Sequence, residues 1–335
     1  MLESGQNDAP ATPCWVLTDG AAGNERQALA LAQALGLATR SMVLPLQAPW
    51  SWLAPRGAVA GRLTVNAIHR ERLAPPWPAL VIGCGRSAAL LTRVVARLSG
   101  GTCRSVQILD PRIDARHWDL VIAPHHDDLA GEHVVNTLGS LHPVDDDWLQ
   151  AGREAFPALG QLPGPRVGVL LGGPRRGVPL DAGQAAALAD ALRKRHRAEG
   201  ASVMLVASRR TPPALYEAVH TAIRDIPGLR WRDSGDGPNP YPGVLGWADR
   251  LVVTPDSVNM LSEAAATGVP VHTLDSAALP PRLSRFHAAL RERGLLHALD
   301  ANAQAPSAPL RETVAVAVEV RRRLHLPVAH PGVAS

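Results

Sequence analysis

The stretch "VTPDSVNMLSEAAATGVPV", Val253 to Val271, sets the reading of this chain. A short apolar strand runs into Asp256 and Ser257, either of which can cap a following helix by accepting hydrogen bonds from its first unpaired N–H groups. The helix from Val258 is built of small residues and carries Glu263 among Ala264, Ala265 and Ala266. Gly268 and Pro270 then stop it and open another strand, "VPVHTL". The stretch is therefore a strand-helix-strand unit, with polar groups placed where the first strand ends.

The same unit recurs upstream. "RVGVLLGG", "SVMLVASRR", "GLRWRD" and "RLVVTPDS" read as strands. Between them lie helical patterns in "DAGQAAALADALRKRHRAEG", where Ala185, Leu188, Ala189 and Leu192 share a face, in "PPALYEAVHTAIRDI" and in "YPGVLGWA". The first half behaves alike: "CWVLTDG" precedes a helix with Ala28, Leu31, Ala32 and Leu35 in register and Gly36 as its stop. "ALVIGCG", "SVQILD" and "DLVIAP" follow as further strands. Such alternation predicts an α/β chain with parallel sheets. The Pro- and Gly-rich "LPGPR" near Leu162 reads as a linker. The expected division is thus residues 1–161 and 162–335, with the last helix free to pack back on the first domain. Two Rossmann-like domains facing each other across a cleft are the expected assembly.

In open parallel sheets ligands lie beyond the carboxyl ends of the strands. In the second half Gly172 and Gly173 occupy one such end, where missing side chains let a phosphate approach the backbone N–H groups. A tight turn would also require them. Ser208, Arg209, Arg210 and Thr211 end the next strand with hydroxyl and guanidinium donors suited to an anion, Ser208 and Arg209 being the leading contacts. Asp256 and Ser257 end a third. Glu263, six residues beyond Ser257, is a carboxylate able to accept hydrogen bonds from a ribose diol, unless it is a solvated surface side chain.

These motifs carry a resemblance. "DSVNMLSEAAATGVPV" looks like the donor-site helix of GT-B glycosyltransferases, in which the acidic residue matching Glu263 binds the ribose of a uridine-diphosphate sugar. More specifically, "WVLTDGAAGNERQALALAQALGL", "VIGCGRSAAL", "QILDPRIDARHWDLVIAPHHD", "VLLGGP", "SRRTP" and "NPYPGVLGWADRLVVTPDSVNMLSEAAATGVPV" resemble the mitochondrial fission ELM1-like family over roughly residues 13 to 275. Its bacterial members are described as glycosyltransferases. The resemblance implies sugar transfer from a nucleoside-diphosphate sugar, the uridine compound foremost, without a metal or other cofactor; the acceptor is left open by the sequence, with a lipid or an envelope glycan among the candidates. It also implies that Asn239 and Tyr241 in "NPYPG", and Met260, line the nucleotide site. "GGPRRG" departs from the more polar continuation usual after that glycine pair. Two other readings stand beside the transferase. One is a non-catalytic adaptor, since plant members are associated with recruiting a dynamin-like protein to mitochondria; the other is a sugar-nucleotide epimerase of the same two-domain form.

Inverting transfer needs a base near the acceptor hydroxyl. Asp19 in "LTDGAAGN" ends the first strand, where the resembling transferases carry a catalytic residue, and is the first candidate; His126 beside Asp127 in "APHHDDL" is the second. That cluster also invites a metal reading, which the resemblance does not favour. "DDD", Asp145 to Asp147, reads as the cap of a helix starting at Trp148.

Composition narrows the classes further. Of 335 residues 46% are apolar and 19% charged, and no apolar run approaches the roughly 18 residues of a membrane-spanning helix. The N-terminus lacks the charged and apolar regions of a secretory signal, so a cytoplasmic location is expected, peripheral to the inner membrane at most. Cys14, Cys84 and Cys103 lack disulfide or zinc spacing and read as buried thiols. The formal charge is +4, Lys194 is the single lysine, and aromatic residues are not interleaved with the arginines as a nucleic-acid surface requires. In "LPLQAPWSWLAPRG", Trp50, Trp52 and Leu53 fit the packing of a loop core, but beside Arg56 and Arg62 they would also suit the surface of an anionic membrane.

Overall fold

The computed structural model describes residues 14–175, 177–178, 180–274 and 279–326; the N-terminal stretch and Arg176 of "GGPRRG" lie outside them. The chain forms two units. The first runs to Thr137 and includes residues from Glu312 onward; the second is Leu138–Arg311.

In the first unit β1 (Cys14–Thr18), α1 (Ala22–Ala34), β2 (Thr39–Val43), α2 (Trp50–Leu53), β3 (Leu80–Cys84), α3 (Arg86–Leu98), β4 (Arg104–Ile108), β5 (Leu120–Pro124) and β6 (Val134–Thr137) follow in order. The six strands are parallel in the order β2-β1-β3-β4-β5-β6. Every residue of β1, β3 and β5 is buried, as strands covered on both faces require. β2 and β6 escape the sequence reading because "TRSMV" is mostly exposed at the sheet edge and "VVNT" is too short to show a period.

The second unit contains α4 (Asp146–Ala155), β7 (Arg166–Leu171), α5 (Ala182–Glu199), β8 (Ser202–Ala207), α6 (Pro213–Ala222), β9 (Arg230–Trp231), α7 (Tyr241–Trp247), β10 (Arg250–Val253), α8 (Val258–Ala265), β11 (Val271–Thr273), α9 (Pro281–Glu292) and β12 (His297–Ala298). Its strands are parallel in the order β12-β11-β10-β7-β8-β9. Period-two alternation divides the core. Val167, Val169 and Leu171 meet Leu188, Leu192 and Val219 of α5 and α6 on one face. Leu170, Val206 and Leu251 meet Val244, Leu261 and Phe286 of α7, α8 and α9 on the other. Complete burial of a side chain such as Phe286 stabilises the fold by about 2–3 kcal/mol. The helix α5 starts with a reciprocal cap between Asp181 and Gln184 and stops at Gly200, whose φ of 69° favours glycine.

The boundary departs from the expected one near Leu162. The segment before "LPGPR" packs within the second unit because α4 lies against α7. A Cβ on Gly152 would stand 2.5 Å from the Pro242 carbonyl oxygen, and Arg153 Nη1 donates to the Gly246 carbonyl at 3.1 Å. Asp145 caps α4 by accepting from the Trp148 N–H. "LPGPR" is only the turn into β7, where the Pro163 carbonyl accepts from Ser202 Oγ at 2.7 Å. The last helix, α10 (Thr313–Leu324), belongs to the first unit: Arg321 donates to the Leu35 carbonyl, and Arg323 Nη1 to that of Glu132 at 2.8 Å. Among the described residues no helix is long and apolar enough to cross a membrane.

Candidate functional site

In each sheet the chain reverses its direction of travel at one point, between β1 and β3 in the first and between β7 and β10 in the second. Strand ends diverge at such a switch point and leave room for a ligand.

In the second unit the loops after β7, β8 and β10 meet there, and they meet around Asp256. Its side chain is fully buried. Oδ1 accepts from the Thr254 hydroxyl at 2.7 Å, while Oδ2 accepts from the Gly173 N–H at 3.1 Å and from Arg210 Nη2 at 3.0 Å. Arg175 Nη1 donates to the Asp256 carbonyl at 3.3 Å. A buried carboxylate persists only with such partners. The glycine pair serves this packing: a Cβ on Gly172 would lie 2.2 Å from Asp256 Oδ1, and one on Gly173 would lie 2.2 Å from the Arg210 carbonyl oxygen.

This corrects one expectation. The Gly172 N–H donates to Thr254 Oγ1 at 2.7 Å and the Gly173 N–H to Asp256, so these two amides point at protein groups rather than outward at a phosphate. The glycines are required because side chains would collide with the Asp256 carboxylate and the Arg210 backbone.

The loop after β8 is built from its own hydroxyls. Ser208 Oγ accepts from the Arg210 N–H at 3.3 Å and lies 3.1 Å from Thr211 Oγ1. Thr211 Oγ1 accepts from the Ser208 N–H and stands 2.7 Å from the Leu171 and Gly172 carbonyls, one of which takes its proton. Arg209 projects from this loop, exposed. It is Arg210, not Arg209, that binds Asp256, although half of its side chain remains exposed. With Arg175 they give the rim three guanidinium groups.

Ser257, rather than Asp256, caps α8: its Oγ accepts from the Met260 N–H at 3.3 Å. Met260 is half-buried on the first turn. Glu263 is 2% exposed, which removes the surface reading, and the Tyr241 hydroxyl donates to its Oε2. Asn239 Oδ1 accepts from the Tyr241 N–H at 3.1 Å, so "NPYPG" starts α7 and delivers the tyrosine to the glutamate. Behind the Asp256 loop, His287 Nε2–H donates to the Pro255 carbonyl at 3.0 Å, and burial holds this imidazole down at about 4. Sequence reasoning missed Thr254, Arg175 and His287. Thr254 sits in the quoted "TPDS", whereas His287 lies on α9, with no local signal.

In the first unit Asp19 ends β1 at the switch point and is exposed. Its Oδ1 accepts from the Ala21 N–H, and Asn24 Nδ2 lies 3.0 Å from both oxygens. Gly85, at the end of β3 with φ 94°, comes so close that a Cβ there would meet Asp19 Oδ2 at 2.8 Å. Burial, with the Asp19 charge second, pushes the neighbouring Cys84 thiol above its usual range. His126 follows β5, with Nε2 4.0 Å from Asp127 Oδ1. β3 and β4 separate β1 from β5, so the strands that carry Asp19 and His126 run about 14 Å apart at ~4.8 Å per strand. Among the described residues no group of three or more His, Cys, Asp or Glu side chains could hold a metal ion.

The sequence matches the family described as Mitochondrial fission ELM1 over residues 22–324. The mitochondrial fission protein ELM1 of Arabidopsis thaliana is 32% identical over 286 residues, which cover 77% of this chain and 66%, just under two thirds, of the plant protein. Two of the solved structures that share the fold illustrate it. The UDP-GlcNAc 2-epimerase of Methanocaldococcus jannaschii has a TM-score of 0.53 at 12% identity, covering 95% of this chain and 94% of its own. Os79 from O. sativa, in complex with UDP, has a TM-score of 0.53 at 14% identity, covering 93% and 94%. The fold is of the GT-B type, with two Rossmann-like units.

Proposed function

The chain belongs to the mitochondrial fission ELM1 family, and on that premise we propose that it is a nucleotide-sugar-dependent glycosyltransferase. The observation that carries this reading is the convergence of three strand-end loops on Asp256 at the switch point of the second sheet, rimmed by Arg175, Arg209 and Arg210. The buried carboxylate fixes the loops, and the exposed guanidinium groups provide the positive charge that a diphosphate requires. The N-terminal end of α8 adds its dipole. Glu263, oriented by Tyr241, is the proposed ribose contact, and Asn239 and Met260 flank the nucleotide. Solved structures of this fold at comparable TM-scores include Os79 with UDP and a staphylococcal MnaA with UDP, which favours uridine as the base.

The transfer needs no metal in this reading. The acceptor hydroxyl oxygen bonds to the anomeric carbon, and the bond from that carbon to the diphosphate oxygen breaks. The nucleoside diphosphate leaves with the electron pair against the arginines, and the hydroxyl proton passes to a base. Asp19 is the proposed base and His126 the second candidate. The acceptor is a hydroxyl of a lipid or an envelope glycan.

A second reading, a nucleotide-free adaptor, is favoured by the internal pairing of the Gly172 and Gly173 amides. Titration calorimetry with UDP decides between the two. The transferase reading expects saturable binding that weakens tenfold or more in Arg209→Ala/Arg210→Ala, while the absence of heat with any nucleoside diphosphate leaves the adaptor. Product analysis with UDP-GlcNAc separates transfer from epimerisation, since only transfer releases UDP into solution in proportion to glycosylated acceptor.

A further inference from the structure

The segment between β2 and β3 holds apolar side chains out into water, and its backbone is hydrogen-bonded to the protein behind two of them. Trp52 is 74% exposed, Val59 75% and Ile68 81%, with Leu53 and Leu63 also exposed. Isolated exposed apolar residues are ordinary, but five within one short segment are not. Looseness does not account for them. Arg86 donates to the Trp52 carbonyl and, through Nε at 2.6 Å, to that of Ala54, while Arg93 Nη1 donates to the Pro55 carbonyl at 2.8 Å. Gln47 Nε2 donates to the Leu63 carbonyl at 2.6 Å, and Leu46 bridges to Val65. The backbone behind Trp52 and Leu63 is thus pinned from the protein side. Trp50 is partly buried against the core of the first unit, its ring packed on Gly57, where a Cβ would lie 2.7 Å from Trp50 Cε3. Of the two tryptophans read from the sequence, one closes the loop core and the other faces water.

The charge of the segment is one-sided. Residues 50–72 carry Arg56, Arg62, Arg70 and Arg72 against the single carboxylate of Glu71. Among the described residues Arg56 and Arg62, both exposed, have no carboxylate partner. An indole and aliphatic tips interleaved with unpaired guanidinium groups match a layer that is apolar below and anionic at its face. We propose that residues 50–72 dock onto the surface of an anionic phospholipid bilayer. Trp52, Leu53, Val59, Leu63 and Ile68 enter the headgroup boundary, and Arg56 and Arg62 bind lipid phosphates. The proposal stands independently of the transferase reading, because it concerns the segment between β2 and β3 and no residue of the nucleotide site.

The test is flotation of the full chain with vesicles of mixed phosphatidylcholine and phosphatidylglycerol against phosphatidylcholine alone, at low and high salt. Binding is expected only to the mixed vesicles and is expected to fall with salt. Arg56→Glu/Arg62→Glu should lower it by about tenfold or more, as two surface arginines near an anionic leaflet would. Trp52→Ser/Ile68→Ser should abolish it while leaving UDP binding unchanged. The changed side chains are exposed, and the melting midpoint verifies folding. If the serine pair lowers that midpoint, the arginine pair decides. Failure to float with the mixed vesicles, or flotation indifferent to both pairs, overturns the proposal; a protein occupant of this face would give the former result.

Discussion

Gly172 and Asp256 are in such close contact that a single carbon added to the glycine would stand 2.2 Å from the carboxylate oxygen. The contact joins the ends of β7 and β10 at the switch point and makes the glycine a packing requirement. Gly172→Ala is expected to destabilise the chain by about 1–3 kcal/mol, through the forced shift of a buried, hydrogen-bonded carboxylate. Gly164→Ala, where an added Cβ meets nothing within 4 Å, is the control and should change the urea midpoint little.

The two loop arginines should separate. Arg210 is bonded to buried Asp256, so Arg210→Ala is expected to lower both stability, by roughly 1–2 kcal/mol, and UDP affinity. Arg209 is exposed, and Arg209→Ala should leave stability within about 0.5 kcal/mol while weakening UDP binding. Equal melting midpoints for the two variants would contradict the assigned geometry.

Tyr241→Phe removes the hydroxyl that donates to the buried Glu263 carboxylate. A loss of about 1–3 kcal/mol is expected from removing one hydrogen-bond donor to a buried carboxylate. If Glu263 is the ribose contact, the same variant should bind UDP more weakly than it binds inorganic pyrophosphate relative to the parent chain. Calorimetry with both ligands reads this directly.

His287 predicts a pH dependence. Burial lowers its folded-state value to about 4 from an ordinary 6.5, so the unfolded chain takes up the proton first as pH falls. Its contribution is fully present above about pH 6.5 and is lost progressively as pH drops toward 4, amounting to about 3 kcal/mol. His287→Gln should flatten stability against pH in that window, as read by urea unfolding at a series of pH values.

Much of the site was readable because the chemistry sits at strand ends that local pattern locates. Asp256, Ser257, Glu263 and the "SRRTP" loop all fall where alternation places them. Their roles were less readable. Nothing in a run of sequence says that Gly173 N–H turns toward Asp256, that Arg210 rather than its neighbour binds the carboxylate, or that Tyr241 reaches Glu263 from 22 positions away. Groups at the ends of different strands and on different helices acquire their partners from how those elements are arranged in the sheet and packed over it, which a linear pattern does not encode.

The sequence by itself determined the α/β alternation, the buried parallel strands and the polar residues at their carboxyl ends, because period, capping and helix-stopping are local. Only the tertiary structure decided the unit boundary at Thr137 and Leu138, the return of α10 to the first unit, and the meeting of three loops around one buried carboxylate. Those depend on which surfaces exclude water together, and segments far apart in the chain settle that jointly.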